Sequence, residues 1–138
     1  MNKFVFITLF LFSAACRDDA VTAFNANPEA TITSHLDGEA FLDGYAVTFR
    51  GSVSDPDDES ASLSVRWYVG TEVSCDSMTP AVDGIVECAI TLTEENTQVT
   101  IEVLDPDNAA GTASISFSVL PTSTPEVVIT LPEFSGNF

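Results

Sequence analysis

Positive charge is what this chain has least of. Four Lys and Arg stand against 21 Asp and Glu in 138 residues, for a formal net charge of −17. Nucleic-acid backbones are held by clustered Lys and Arg that displace counterions, so a chain this poor in them is excluded as a nucleic-acid binder and repels anionic surfaces. Histidine is nearly absent as well: His35 stands alone, which removes the commonest general base and most nitrogen ligands for a transition metal. Long hydrophobic runs are missing. The apolar run Phe4–Phe12 covers nine residues, against the roughly 20 that a membrane-spanning helix requires. What is abundant is apolar bulk: 45% hydrophobic residues, including ten Phe, enough for a packed core and too much for a disordered chain. The length suits one domain of about 100 residues with short extensions.

The first of those extensions is an address. "MNKFVFITLFLFSAAC" places Lys3 before the apolar run and the small residues Ser13, Ala14 and Ala15 after it, the three-part plan of a secretory signal over residues 1–15. The small residues end directly at Cys16, and this resembles the lipobox of bacterial lipoproteins, with Ser13 where that signal usually carries Leu. The resemblance implies that Cys16 is acylated and becomes the mature N-terminus, so that the membrane is a partner through a lipid anchor. Several acyl chains hold far better than one, which gives only about 10⁴ M⁻¹. Ordinary cleavage after Ala15, leaving Cys16 free in a periplasmic or secreted protein, is the alternative. Arg17, where known sorting signals use Asp for inner-membrane retention, implies the outer membrane or cell surface. Residues 16–27 are polar and small without periodicity and read as a flexible tether.

Export decides the chemistry of the other cysteines. Cys75 and Cys88 flank the turn-rich "CDSMTPAVDGIVEC", and in an oxidising compartment such a pair is expected to form a disulfide. A zinc site would need four ligands, and neither a second His nor a further Cys is near.

From Pro28 to Leu120 the pattern has period two. Val47, Phe49, Gly51 and Val53 alternate with polar residues, as do Leu63, Val65, Trp67 and Val69; then Val86, Cys88, Ile90 and Leu92; Val99, Ile101 and Val103; and Ala113, Ile115, Phe117 and Val119. With an opening strand at Ala30–Thr33 and a short one at Thr71–Cys75, this predicts about seven strands, an all-β antiparallel sandwich with Trp67 between the sheets.

Particular residues add a resemblance. Pro28-x-x-x-Ile32-Thr33-Ser34, Asp37-Gly38, Val47-Thr48-Phe49-x-Gly51, Ser54-Asp55-Pro56-Asp57, the tryptophan strand and Val103-x-Asp105 together resemble the immunoglobulin-like (Ig-like) modules of the polycystic-kidney-disease-repeat (PKD) kind, over residues 28–120. Two features depart from that pattern: His35 replaces a frequent Pro, and Tyr68-Val69-Gly70 follows Trp67 where Asp-Phe-Gly-Asp-Gly is frequent. A generic Ig-like or cadherin-like relationship therefore stands beside it. The resemblance implies a spacer, stalk, adhesion or accessory module in a surface or secreted protein, and no catalysis.

The end of the chain echoes its beginning. "PEVVITLPEFSGNF" lies over "PEATITSHLDGEAF" at an offset of 97, with Pro125, Glu126, Ile129, Thr130 and Phe138 on Pro28, Glu29, Ile32, Thr33 and Phe41. The expectation is a tandem array, with 121–124 as an interdomain linker and 125–138 as the start of a truncated second repeat.

The acidic residues concentrate in two turns. Asp55, Asp57, Asp58 and Glu59 follow one strand, and Asp105, Asp107 and Asn108 follow another; an Ig-type sandwich puts those two turns at the same end. Two readings stand. Asp, Asn and Pro form turns for backbone reasons alone. Clustered carboxylates on adaptable loops also suit Ca²⁺, which takes six to eight oxygens and would relieve their mutual repulsion; neither turn fits the EF-hand pattern. No cofactor is otherwise required. Enzyme signals are weak. His35 is expected in a solvent-exposed loop, no nucleophile elbow appears, and Tyr45, Tyr68 and Phe41 are the aromatics that could stack on a sugar. The functional expectation is a non-catalytic spacer, with an adhesion or carbohydrate-binding module, calcium-dependent through the acidic end and meeting a surface glycan or protein, as the alternative.

Overall fold

A computed structural model describes residues 24–123. The signal peptide, Cys16 and residues 124–138 lie outside the described residues, and with them the lipidation site and the second repeat.

The alternating segments form eight strands: β1 (Glu29–Ile32), β2 (Glu39–Leu42), β3 (Ala46–Ser54), β4 (Ser64–Val69), β5 (Glu72–Met78), β6 (Ile85–Thr91), β7 (Gln98–Leu104) and β8 (Ala110–Leu120), with a 3₁₀ turn at Ser60–Ser62. They make two sheets, ordered β1-β3-β6 and β2-β8-β7-β4-β5. Strands such as β3, β6, β7 and β8 alternate because one face is buried against the other sheet, whereas β5 is largely exposed. Phe49, Val65, Trp67, Leu92, Val99, Ile101 and Val103 are wholly buried, the inward set that the period of two picks out, and each aliphatic or Phe among them contributes about 1.5–3 kcal/mol relative to exposure. Trp67 fills the space between sheets. Its neighbour is Gly51, whose missing side chain makes room: a Cβ there would stand 2.5 Å from Ile101 Cδ1 and 3.1 Å from Trp67 Cζ2.

The strand count exceeds the sequence expectation of about seven by one. β2 is the addition, and it breaks the antiparallel rule by pairing parallel to β8, Glu39 opposite Phe117 through Leu42 opposite Leu120. Four residues carry too little alternation to announce a strand, and a parallel partner so far along the chain leaves no hairpin signal. The strand does turn Phe41 inward, onto Phe117 at 5.3 Å and Phe49 at 5.9 Å between ring centroids.

The open flank between the sheets is tied covalently. Cys75 on β5 and Cys88 on β6 form the expected disulfide, Cα atoms 6.2 Å apart. β5 and β6 belong to different sheets and share no ladder.

The register also fixes the poles. Glu29 lies opposite Ser54, beside the Asp55–Glu59 turn, whereas Leu120 lies opposite Leu42 at the far end. The chain enters the sandwich at the acidic pole and leaves at the other.

Candidate functional site

At the acidic pole, β4 pairs with β7 so that Ser64 faces Leu104, which brings the β3–β4 turn against the β7–β8 turn. Each turn builds itself from its first aspartate. Asp55 Oδ1 accepts the N–H groups of Asp57 (2.7 Å) and Asp58 (3.0 Å). Asp105 Oδ1 accepts the N–H of Ala109 at 2.7 Å, while the Asn108 N–H donates to the Asp105 carbonyl at 3.2 Å and Asn108 takes φ +68°, a left-handed conformation that Asn tolerates. These are Asx-type turns, the local reason for Asp at both positions.

Folding selects three of the acidic residues. Asp55, Asp58 and Asp105 each bring a carboxylate oxygen within 4.8 Å of the other two, about the widest separation of two ligands on one Ca²⁺ with bonds of 2.3–2.6 Å. The other residues singled out by the sequence serve elsewhere. Asp57 accepts the Ala26 N–H. Asp107 joins Phe24, Asn25, Asp57 and Asp58 around an open cleft of about 400 Å³, and Glu59 faces a neighbouring hollow with Ser60, Ala61 and Val82.

The electrostatics are one-sided. Asp105 is only 5% exposed. Burial, and then the charges of Asp55, Asp105, Asp107 and Asp57, hold the Asp58 carboxyl above its ordinary value. Asp55 Oδ2 is buried with no hydrogen-bond partner. The only Lys or Arg side chains among the described residues are Arg50 and Arg66, and each is paired elsewhere, with Glu87 and Asp76 respectively, both at 2.7 Å. An orphaned carboxylate oxygen beside two further carboxylates fits a hard, oxygen-preferring cation.

Two donors come from a segment in which sequence reasoning saw only a tether. Asn25 Nδ2 donates to Asp105 Oδ2 at 2.6 Å, and the Ala26 N–H donates to Asp57 Oδ2 at 2.7 Å. Pro28 behind them is buried, its carbonyl occupying the space where a Cβ on Gly111 would sit. The residues before β1 thus lie across both turns. No residue pattern in 24–27 announces this, because the contact is a matter of place.

His35 is corrected by the structure. It is half-buried rather than solvent-exposed, its side chain 22% accessible, with its ring edge-on to Phe41 and to Phe49, both at 5.1 Å. The cause is β2, which carries Phe41 inward and sets Glu39 Oε2 3.0 Å from His35 Nδ1. The Glu39 carboxyl is held below its ordinary value by the Leu36 N–H first and by His35 as well, against burial. The aromatic trio does not share a surface either. Phe41 packs inward, Tyr68 stands on the outer face donating to Glu102 at 2.8 Å, and Tyr45 is exposed at the pole where β8 ends.

No protein-family model matches the chain, and no curated protein is significantly similar to it. Among solved structures, the fibronectin(III)-like modules of Clostridium thermocellum CbhA match with a TM-score of 0.59 at 19% identity, over 76% of this chain and 53% of that one. The chain thus spans about half the length of that structure. A PKD domain of an M14-like peptidase from a Thermoplasmatales archaeon matches with a TM-score of 0.49 at 16% identity, over 69% of this chain and 99% of that one. The first likeness shows the fold alone: an Ig-like, fibronectin(III)-like β-sandwich.

Proposed function

We propose that the chain is a non-catalytic spacer module of an exported bacterial surface protein, held to the membrane by lipid on Cys16. One observation carries this reading. The chain enters at the acidic pole, where Glu29 faces Ser54, and leaves at the opposite pole, where Leu120 faces Leu42. A module connected end to end adds its full length to whatever it carries, which is what a stalk requires. The signal-like N-terminus and a disulfide between Cys75 and Cys88 accord with export.

Two measurements test it. Labelling with radioactive palmitate and detergent-phase partitioning are expected for the wild-type chain and lost in Cys16→Ser; a wild-type chain that stays unlabelled and water-soluble refutes the anchor. The soluble module is expected to retain nothing on a glycan array, and specific retention refutes the spacer role in favour of an adhesion or carbohydrate-binding module.

The buried, unpartnered Asp55 Oδ2 beside Asp58 and Asp105 favours a second element of this reading: Ca²⁺ bound at the acidic pole and stiffening it. Asp55, Asp58 and Asp105 would hold the ion. At a hundredfold excess over Kd the folded state gains about 2.7 kcal/mol, a rise in melting temperature of roughly 10 °C or more for a domain of this size. The rise should vanish in EDTA and in Asp55→Asn/Asp105→Asn. An unchanged melting temperature at millimolar Ca²⁺ returns the two loops to being turns alone.

A further inference from the structure

The sandwich has four sheet edges, and three of them are blunted. β1 and β2 are four residues each, too short to template a further strand firmly. β5 is interrupted by register shifts against β4 around Trp67 and carries Ser77 at φ +49°, irregularities that turn an edge away from pairing. β6 has none of these guards. Its seven residues hold one register against β3, from Thr91 opposite Ala46 to Ile85 opposite Ser52, and they include no Pro, Lys or Arg. Just outside the strand, the Leu92 N–H donates to the Tyr45 carbonyl and the Gly84 carbonyl accepts from the Val53 N–H. An antiparallel ladder alternates, so Val86, Cys88 and Ile90 also turn their backbone groups to β3, while Ile85, Glu87, Ala89 and Thr91 turn theirs away. Ile85 is closed off, its N–H by Asp83 Oδ1 at 3.2 Å and its carbonyl by the Ala81 N–H at 2.9 Å. The N–H and C=O groups of Glu87, Ala89 and Thr91 have no protein partner among the described residues.

We propose that this edge is a docking site for an extended segment of another protein, one in which apolar residues alternate with Lys or Arg. The surroundings choose that chemistry. At the Thr91 end of β6, Val69, Glu72, Val73, Ile90, Thr91 and Glu95 border a cleft of about 500 Å³, and Val73 is 50% exposed there. A strand added to β6 continues the sheet. Every second side chain then points the way of Cys88 and Ile90, toward that cleft, and the rest lie beside Glu87, Ala89 and Thr91 on the outer face. The first set suits apolar groups. Carboxylates flank the site: Asp83 before the edge, Glu87 on it, Glu72 and Glu95 at the cleft. The Arg50 guanidinium among them is already held by Glu87 at 2.7 Å. A basic segment is therefore drawn in, and a second copy of this chain, at −17, is repelled. The site goes beyond the spacer reading and depends on neither the lipid nor calcium.

The probe is the peptide acetyl-Lys-Val-Lys-Val-Lys-Val-Lys-amide, titrated into the isotope-labelled chain at low salt and followed by nuclear magnetic resonance. The amides of Glu87, Ala89 and Thr91 are expected to shift and to gain protection from hydrogen exchange. Those of Val86, Cys88 and Ile90, already bonded to β3, keep the protection they have. Attraction by charge alone does not produce that alternation. The Glu-Val counterpart should leave the spectrum unchanged. A backbone N-methylated Lys-Val peptide keeps the charge but loses its donors, and should bind about tenfold more weakly or worse. Ala89→Pro removes an N–H that faces away from β3, a substitution that an edge strand tolerates, and should weaken the Lys-Val peptide to the same extent. Glu72→Gln/Glu95→Gln, at two exposed positions that leave the β3–β6 ladder untouched, should weaken it as well. Absence of any shift at millimolar peptide overturns the proposal, as do shifts without the alternation, or equal binding by the N-methylated peptide or by Ala89→Pro. So does a dimer in sedimentation that Ala89→Pro dissolves, because the edge would then belong to a second copy.

Discussion

Removing the covalent tie across the open flank tests the account of how the sandwich is held. Cys75→Ala/Cys88→Ala deletes a bridge between residues 13 apart in sequence. β5 and β6 share no ladder, so nothing in the backbone replaces it. The loop it closes has a chain-entropy equivalent of about 3 kcal/mol at 25 °C. With an unfolding entropy of about 2.1 cal/mol/K per residue over roughly 100 residues, that corresponds to a fall in melting temperature of about 14 °C. Calorimetry on the chain, with and without a reducing agent, supplies the number. Reduced wild type and the double Ala variant should fall together, because Ala at the buried Cys88 introduces no polar atom. Hydrogen exchange locates the loss: β5 lies at a sheet edge with a largely exposed face and should lose protection first, while β7, flanked by β4 and β8, keeps it. A fall of less than about 4 °C would mean that packing alone joins the sheets there, and would refute the reasoning.

Other outcomes follow from particular side chains. Asp58 has its folded-state pKa raised, mainly by burial and then by Asp55; its contribution to stability is therefore present below the ordinary carboxylate range and is lost as pH rises through the raised value. In EDTA, Asp58→Asn should raise the melting temperature at pH 7 and leave it unchanged at pH 3, and a loss at pH 7 would contradict the repulsion argued here. Gly51→Ala places a methyl against Ile101 and Trp67 and should cost about 1–3 kcal/mol in urea unfolding; a neutral result would mean the core yields there. Trp67 is wholly buried with no partner for its Nε1, so Trp67→Phe should cost under about 1.5 kcal/mol, the relief of an unsatisfied donor offsetting the lost volume. A much larger loss would point to a hidden acceptor. Ala26→Pro removes the N–H given to Asp57, and should expose the leading residues to protease without lowering the unfolding temperature of the core.

The sequence showed the sandwich wherever one face meets a core and the other meets water. The runs through Phe49, Trp67, Cys88, Ile101 and Phe117 are legible because burial imposes a period of two on them. β2 was not legible: Glu39–Leu42 has one strongly inward residue, and its partner is chosen by the tertiary fold. The same failure produced the misreading of His35, since a loop neighbour cannot be known to be buried until Phe41 is known to face inward. The acidic pole was legible as a neighbourhood and not as a geometry. Fold class placed the two turns together, but which carboxylates converge and which turn to Ala26 or to solvent depends on distances of a few ångströms. Sequence spacing does not carry distances of that size.

The pairing of β2 with β8 also has a consequence in time. The hydrogen bonds from Ser116 to Asp37 and from Asn25 to Asp105 close loops of 79 and 80 residues, and the only ladder partner of β2 is β8. β1 finds its partner early, in β3, whereas β2 has none until β8 is in place. Contacts this distant in sequence form slowly, so the β2 edge is the last part of the five-stranded sheet to close.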